Sequence, residues 1–204
     1  CDLHSGQTCG FFSNNCPMDN LYNEVYFVDY IKYNIIPEYG NNIVIVAPDE
    51  GAVKSATRVS GKLNVSAATI FKNRERANVV GSMCLMGDVN GKVAILIDDM
   101  IDTAGTACKA ASILKENGAS YIFMLATHGL FSGPALERIK ESAFNKIVVT
   151  NTVSQKSEIL ECNKIKIIDV SWIIAEAIKR QHDGTSLSEL YLNRDVLRNN
   201  TGIS

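Results

Sequence analysis

The stretch 93–106 constrains the fold more than any other part of the chain. Its first five residues, Val93 to Ile97, are all apolar, which is typical of a short strand buried on both faces of a parallel sheet. The carboxylates Asp98-Asp99 follow directly. After a turn, residues 107–115 have helical composition and spacing and end at Asn117-Gly118, a typical C-cap. The stretch therefore predicts a strand, an acidic pair, a loop and a helix, in that order.

The loop of this stretch, residues 102–106, is suited to binding an anion. Backbone N–H groups and the helix dipole favour negative charge at a helix start, Thr103 and Thr106 add hydroxyls, and Gly105 lets an anion approach the backbone. The upstream pair Asp98-Asp99 could accept hydrogen bonds from sugar hydroxyls or hold a hydrated divalent ion. Together these groups predict a sugar phosphate as ligand, although the acidic pair alone is also compatible with an ordinary structural or capping role.

The remaining apolar runs alternate with helical segments. This order predicts an α/β fold with an open, mainly parallel sheet, right-handed crossovers and helices on both faces. A first helix is expected from a cap at Asp19-Asn20 to a point before Pro37. Further strands are predicted at 43–47, 67–71, 83–88, 121–126, 147–149 and 165–168, and further helices at 53–63, 132–140 and 172–180.

Two more loops are expected at the same edge of this sheet. Ligands of open parallel sheets gather beyond the carboxyl ends of the strands, so Asp49 should lie near the acidic pair. An ordinary strand-to-helix turn is the alternative. Residues 72–78 are strongly charged and predict a mobile loop from which Lys72 and Arg74 could stabilise a transferred group, the alternative being a solvated surface. His128, also at a strand end, is interpreted as structural.

Composition excludes several classes of partner. The 204 residues, 46% of them hydrophobic, suffice for one full core, and the net charge of -2 supplies no basic field for nucleic acid or an anionic membrane. The six cysteines lack the spacing of a metal site and indicate a reduced, cytoplasmic setting. The chain starts without Met, so we expect either a fragment or a start at an incorrect boundary. As a fragment it would have a joint over 1–18 left from an N-terminal domain, a domain over 19–183, and a C-terminal tail over 184–204 that packs against something outside the chain.

The nonamer Asp98-Asp99-x-x-Asp102-Thr103-x-Gly105-Thr106 resembles the phosphoribosyl-diphosphate loop shared by type I phosphoribosyltransferases and ribose-phosphate diphosphokinases. The likeness to the diphosphokinases covers nearly all of residues 2–190. It includes four further motifs in the same order, namely Asp2-Leu3-His4, Asn20-Leu21-Tyr22, Thr127 to Ala135 and Val149 to Thr152.

This resemblance implies a type I phosphoribosyltransferase-like fold and a reaction in nucleotide biosynthesis. A diphosphoryl group would pass from Mg-ATP to the C1 hydroxyl of ribose 5-phosphate, giving phosphoribosyl diphosphate and AMP. Ribose 5-phosphate and ATP would be the substrates, Mg²⁺ the cofactor, and a homo-oligomer, commonly a hexamer, the assembled form. In the family an N-terminal domain supplies most contacts to adenine, so this chain is expected to be incomplete for ATP binding.

The same resemblance assigns a role to each candidate residue, as follows. The sugar phosphate would be held by Asp98, Asp99, Asp102, Thr103, Ala104, Gly105 and Thr106; the diphosphate by Asp49, Glu50, Gly51 and Ala52; magnesium by His4 and Asp49; and Lys72 and Arg74 would be catalytic. The diphosphate loop in the family usually reads Pro-Asp-Ala-Gly-Gly. Here the segment 48–52 adds a carboxylate and a methyl group, which predicts a reduced affinity for anions.

Two alternatives remain open within this interpretation. A type I phosphoribosyltransferase would need a segment covering a nucleobase, which the sequence lacks, and Asp2-Leu3-His4 and Lys72 to Arg74 favour the diphosphokinase. A non-catalytic associated subunit is favoured by Glu50 but not by the intact central loop. A nucleotide-binding P-loop is set aside because residues 51–55 lack the glycine that must directly precede the lysine.

Overall fold

A seven-stranded sheet forms the centre of the computed structural model, which describes residues 1–13, 15–72 and 83–192. The strands lie side by side in the order β3-β2-β1-β4-β5-β6-β7. Every neighbouring pair is parallel except β2 with β3. Their bounds are β1 Ile43–Ala47, β2 Ser66–Lys72, β3 Met83–Met86, β4 Val93–Ile101, β5 Tyr121–Gly129, β6 Lys146–Thr150 and β7 Ile165–Ile168. The predicted α/β class with a mainly parallel sheet is confirmed.

Helices cover both faces of this sheet. They are α1 Glu24–Tyr30, α2 Ile36–Tyr39, α3 Val53–Leu63, α4 Gly105–Glu116, α5 Ala135–Glu141, α6 Ser157–Leu160, α7 Ser171–His182 and α8 Ser188–Leu192, with a 3-10 helix at Gly6–Phe11 and a π-helical segment at Ile31–Ile35. None of the described helices is both long and apolar enough to cross a membrane.

The apolar run of β4 is explained by two separate core layers. Ala94 and Leu96 pack on one face with residues of α4 and α5, whereas Val93, Ile95 and Ile97 pack on the other with residues of α1 and α3. Because successive side chains of a strand point to opposite faces, a strand covered on both sides must be apolar at every position. This confirms the interpretation of β4 as a doubly buried strand.

β4 is longer than the sequence indicated. We expected it to end at Ile97, but parallel pairing with β5 continues to Ile101, which lies opposite Gly129. The neighbouring strand supplies hydrogen-bond partners for the backbone of the acidic pair, so polar side chains do not end the strand there. The following helix also starts earlier than expected, at Gly105.

The first helix departs from its predicted bounds at both ends. It begins at Glu24 without a side-chain cap, so the expected cap at Asp19-Asn20 is wrong. It also passes through Pro37 to Tyr39, because this proline occupies one of the first positions of α2, where a backbone N–H is not needed. The π-helical segment Ile31–Ile35 directly precedes α2, and its wider turn accommodates the proline.

Residues 187–191 pack on the chain itself rather than on something outside it. Leu190 is fully buried in a cluster with Tyr26 and Ile173, and Tyr191 packs against the same cluster. The hydroxyl of Tyr191 also accepts the N–H of Tyr22, at 3.2 Å. The expectation that this region needs an external partner is therefore wrong for residues 187–191, while residues 193–204 lie outside the described part of the chain.

Removing the carboxylate of Asp169, which lies just before α7, should cost about 1 kcal/mol of unfolding free energy, the usual net value for a lost hydrogen bond. Asp169 Oδ1 accepts the backbone N–H of Ser171 at 2.8 Å, and the side chains of Ser171 and Asn151 donate to the same oxygen. The Ser171 hydrogen bonds lower the pKa of Asp169. Its stabilisation is therefore present above the ordinary pKa and is lost as pH falls through the lowered folded-state value. Urea unfolding of Asp169→Ala and wild type at neutral and acidic pH would test this, and a cost independent of pH would contradict it.

Candidate sugar-phosphate site

The start of α4 has the geometry of an open anion site. Ala104, the residue before the helix, adopts left-handed angles (φ 58°, ψ 6°), and no side chain caps the helix there. The N–H groups of a first helical turn have no partner inside the helix. Arg138 Nη1 donates to the carbonyl oxygen of Thr103 at 2.9 Å and so fixes the loop from outside. The helix therefore presents unpaired donors and the positive end of its dipole to any anion placed there.

A cavity of about 470 Å³ opens over this helix start. It brings together segments that are far apart in sequence, because the carboxyl ends of β1 and β4 meet at one edge of the sheet. Of the residues predicted from sequence, those lining it are His4, Asp49, Gly51, Ala52, Asp98, Asp99, Asp102, Thr103, Ala104, Gly105 and Thr106.

Three further predicted residues remain, and only Glu50 is fully described. Glu50 is exposed and does not line the cavity. Lys72 is the last residue of β2, where its backbone lies opposite Met83. Arg74 lies outside the described residues, as does most of the predicted basic loop.

The acidic pair is arranged asymmetrically within the cavity. Asp98 Oδ1 accepts the backbone N–H of Asp99 at 2.9 Å, and Asp99 Oδ2 lies 2.7 Å from Nδ1 of His4. Burial, followed by the negative charge of Asp99, raises the pKa of Asp98 to about 7. The hydrogen bond with Asp99 raises the pKa of His4. The cavity thus holds more negative charge than the described residues neutralise.

Neutralising Asp98 should stabilise the ligand-free protein. Because its folded-state pKa is raised, folding takes up a proton between about pH 4 and 7, and Asp98 costs increasing stability as pH rises through that window. We expect Asp98→Asn to be about 1–2 kcal/mol more stable than wild type at pH 8 and equal to it near pH 4. Urea unfolding at both pH values in the presence of a chelator would measure this. A stability difference between the two proteins that is the same at pH 4 and pH 8 would contradict the raised pKa of Asp98.

The loop after β1 is closed by its own aspartate. Asp49 Oδ1 accepts the backbone N–H groups of Gly51 and Ala52, at 2.9 and 3.2 Å. A Cβ added to Gly51 would lie 3.2 Å from the same oxygen, so the tight turn favours glycine. Two N–H donors that the sequence assigned to a diphosphate are thus engaged by a carboxylate in this structure.

The described residues contain no group of three or more His, Cys, Asp or Glu side chains arranged to hold a metal ion. Magnesium, however, is usually held by one or two carboxylates together with waters and substrate phosphates. The electrostatics fit such an ion, since the charges of Asp98 and Asp49 both contribute to the raised pKa of His4, and that of Asp49 to the raised pKa of Asp98. A divalent cation would relieve this excess of negative charge.

One partly buried ion pair at the cavity wall was not predicted from the sequence. Glu24, 5% exposed, accepts from Arg58 Nε at 2.7 and 2.8 Å on its two carboxylate oxygens and also from Arg58 Nη2. Ser55 Oγ donates to Glu24 Oε1 at 3.1 Å. The partners are 34 positions apart and nothing in either local sequence indicates a pairing. The only local signal was a glutamate beside the apolar stripe of the first helix.

The fold is an α/β domain of the type I phosphoribosyltransferase kind, and it carries a candidate anion site at a helix start beneath an acidic pair. Residues 75–192 match the family described as phosphoribosyl synthetase-associated domain. This match spans more than half of the chain, and the chain belongs to the phosphoribosyl synthetase family, which confirms the resemblance drawn from its motifs.

Three solved structures are similar to this chain to different degrees, and the first of them supports the same family. Phosphoribosylpyrophosphate synthetase from Mycobacterium smegmatis is 33% identical, with a TM-score of 0.79 over 90% of this chain. The matched part is 57% of that protein, so this chain spans little more than half of its length. Adenine phosphoribosyl transferase from Trypanosoma brucei is 21% identical (76% of this chain, 74% of that one, TM-score 0.47). Purine phosphoribosyltransferase from Pyrococcus horikoshii Ot3 is 15% identical (71% of this chain, 82% of that one, TM-score 0.41).

Proposed function

We propose that this chain supplies the sugar-phosphate half of an active site that makes phosphoribosyl diphosphate. A diphosphoryl group would be transferred from Mg-ATP to the C1 hydroxyl of ribose 5-phosphate, releasing AMP, as a step of nucleotide biosynthesis. One observation carries the proposal: the uncapped start of α4, the acidic pair and the Asp49 loop all line one cavity. The 33% identity to a phosphoribosylpyrophosphate synthetase supports the same reaction.

The substrate would lie along the cavity in one orientation. The 5-phosphate would lie on the N–H groups of the first turn of α4, with the hydroxyls of Thr103 and Thr106 beside it. Asp98 and Asp99 would then accept hydrogen bonds from the ribose hydroxyls and leave C1 directed towards the Asp49 loop. The attacking hydroxyl belongs to the substrate, so the protein needs no nucleophile of its own, and positioning and charge neutralisation are its main tasks.

His4 and Asp49 are the residues that would hold magnesium. When bound, the ion would neutralise charge on the diphosphate oxygens. Asp49, with Gly51 and Ala52, would face the diphosphate after giving up its bonds to the loop amides, and Lys72 and Arg74 would stabilise the transferring group. We further propose a cytoplasmic homo-oligomer, with residues 19–183 as the phosphoribosyltransferase-like domain and most contacts to ATP outside this chain.

Calorimetry with ribose 5-phosphate and with ribose tests the site. The phosphate ester should bind to the isolated chain and free ribose should not, because the helix start contributes only to the anion. Equal binding of both sugars, or binding of neither, would contradict the assignment of the sugar phosphate to this cavity. An assay of AMP formation from ATP by the full-length protein then tests the reaction. Turnover must depend on added ribose 5-phosphate, and a folded, assembled protein without such turnover would not be this enzyme.

A second candidate is a non-catalytic subunit that binds the sugar phosphate and regulates a partner enzyme of the same family. The closed loop favours it, because Asp49 already engages the N–H groups of Gly51 and Ala52. This candidate predicts binding of ribose 5-phosphate without formation of AMP by the full-length protein. The two measurements above therefore separate the candidates.

A further inference from the structure

The segment that carries His4 is fastened to the end of β5 by Asp2. Asp2 Oδ2 accepts the hydroxyl of Thr127, in a short hydrogen bond, and the backbone N–H of Asn23 at 3.2 Å. The amide of Asn23 donates to the Thr127 hydroxyl oxygen at 3.3 Å. Both Asn23 and Thr127 are completely buried, whereas Asp2 is partly buried and lines the cavity, so the network joins the cavity wall to the core.

The backbone of Asp2 is held as firmly as its side chain. Its N–H donates to the carbonyl oxygen of Leu21 at 2.7 Å, and its own carbonyl oxygen lies 3.0 Å from Nε2 of His128. The other ring nitrogen of His128, Nδ1, lies 2.8 Å from the hydroxyl oxygen of Thr152, which fixes the imidazole plane. Asp2 therefore has polar partners on its backbone N–H, its carbonyl oxygen and its carboxylate.

These contacts hold Asp2 in a conformation that is unfavourable for it. Its φ is 42°, in the left-handed region that residues with a side chain rarely adopt. Such a conformation persists only where the surrounding contacts determine it, and it occurs often next to functional groups. Two residues further on, His4 reaches Asp99 although its own side chain is 74% exposed and has little packing to orient it.

We infer that Asp2 is a positioning residue: through Thr127 and His128 it fixes the path of residues 2–4 so that the imidazole of His4 meets Asp99. His4 itself would touch the ligand, and Asp2 would act only through it. The inference rests on the proposed function for what His4 does, but the His4–Asp99 contact can be observed without any ligand. Partners that orient a metal-binding histidine commonly change metal affinity by about 10- to 100-fold when removed.

Histidine-selective NMR of the full chain tests this directly. The chain has three histidines, so His4 gives one of three ring cross-peaks, assigned with His4→Gln. The peak of the unbonded His4 ring is defined by Asp99→Ala. We expect Asp2→Ala to move the His4 peak to that position, whereas Asp2→Asn, whose amide oxygen can accept both original hydrogen bonds, should leave it near the wild-type position.

A second variant allows the same test if Asp2→Ala does not fold. Thr127→Val removes the hydroxyl donor with little change in shape and should also move the His4 peak. The matched control is Thr57→Val, which removes a hydroxyl that donates to the carbonyl oxygen of Val53 in its own helix. It should leave the peak in place. An unmoved His4 peak in folded Asp2→Ala and Thr127→Val would overturn the inference and assign Asp2 to stability alone.

A binding measurement completes the test. With Mg²⁺ present, Asp2→Ala should bind ribose 5-phosphate about 10-fold or more weakly than wild type does. Adding Asp2→Ala to His4→Gln should cause no further loss of affinity. An equal loss in both backgrounds would show that Asp2 does not act through His4. If wild type does not bind ribose 5-phosphate at all, the proposed function fails, and the NMR result still decides the role of Asp2.

Discussion

Thr106→Val should weaken the binding of ribose 5-phosphate by about 10- to 100-fold, because a hydrogen bond to a charged group contributes about 1.5–3 kcal/mol. Thr106 lies in the first turn of α4, lines the cavity and is exposed. Valine has nearly the same shape, so the change removes the hydroxyl without opening a void. Calorimetry of both proteins would measure the loss.

The stability of this variant should remain that of wild type, since the lost hydroxyl is solvent-accessible and leaves no buried polar group unpaired. Thr57→Val is the matched control, because its hydroxyl bonds within α3. It should leave the affinity unchanged. If Thr106→Val binds ribose 5-phosphate as well as wild type does, the phosphate does not lie at the start of α4, and the proposed orientation of the sugar is wrong.

Arg58→Ala should lower the free energy of unfolding by about 2–3 kcal/mol. Among the described residues, it leaves the buried carboxylate of Glu24 with only the hydroxyl of Ser55 as a side-chain donor. Removing one partner of a fully buried ion pair costs about 3–5 kcal/mol. The expected cost is smaller here because half of the Arg58 side chain is exposed, so water can partly replace the guanidinium.

Urea unfolding would measure this cost. The double variant Glu24→Gln with Arg58→Ala should recover at least half of it, since the neutral amide needs no counter-ion. Lys62→Ala, on the exposed side of the same helix, is the control and should change stability by less than about 0.5 kcal/mol. A cost for Arg58→Ala no larger than that of the control would show that the ion pair contributes nothing to stability.

The parts of the fold that depend on local pattern were predicted well. The bounds of β1 and α3 agree with those expected from apolar runs and helical spacing. The parts that failed depend on neighbours. β4 continues through its acidic pair because β5 pairs with it, and the first helix tolerates Pro37 because a wider turn precedes it.

In the candidate site, too, features set by local sequence were predicted and features set by distant segments were not. The nonamer 98–106 is contiguous, so its pattern alone predicts that its residues form one anion site, and the uncapped start of α4 agrees with that prediction. Two of the contacts of the site that join distant segments illustrate what was not predicted. Glu24 meets Arg58 and His4 meets Asp99, and no local pattern in the sequence marks either pair.

The sequence by itself therefore determined the class of fold, the family and the strand-loop-helix unit that would hold a phosphate, because each is specified by neighbouring residues in a short pattern. Only the tertiary structure decided which carboxylates are paired, which are crowded, and that the Asp49 carboxylate engages its own loop amides. The physical reason is that charge interactions depend on distance and burial. Residues 95 positions apart, such as His4 and Asp99, acquire both only when the strands take their order in the sheet.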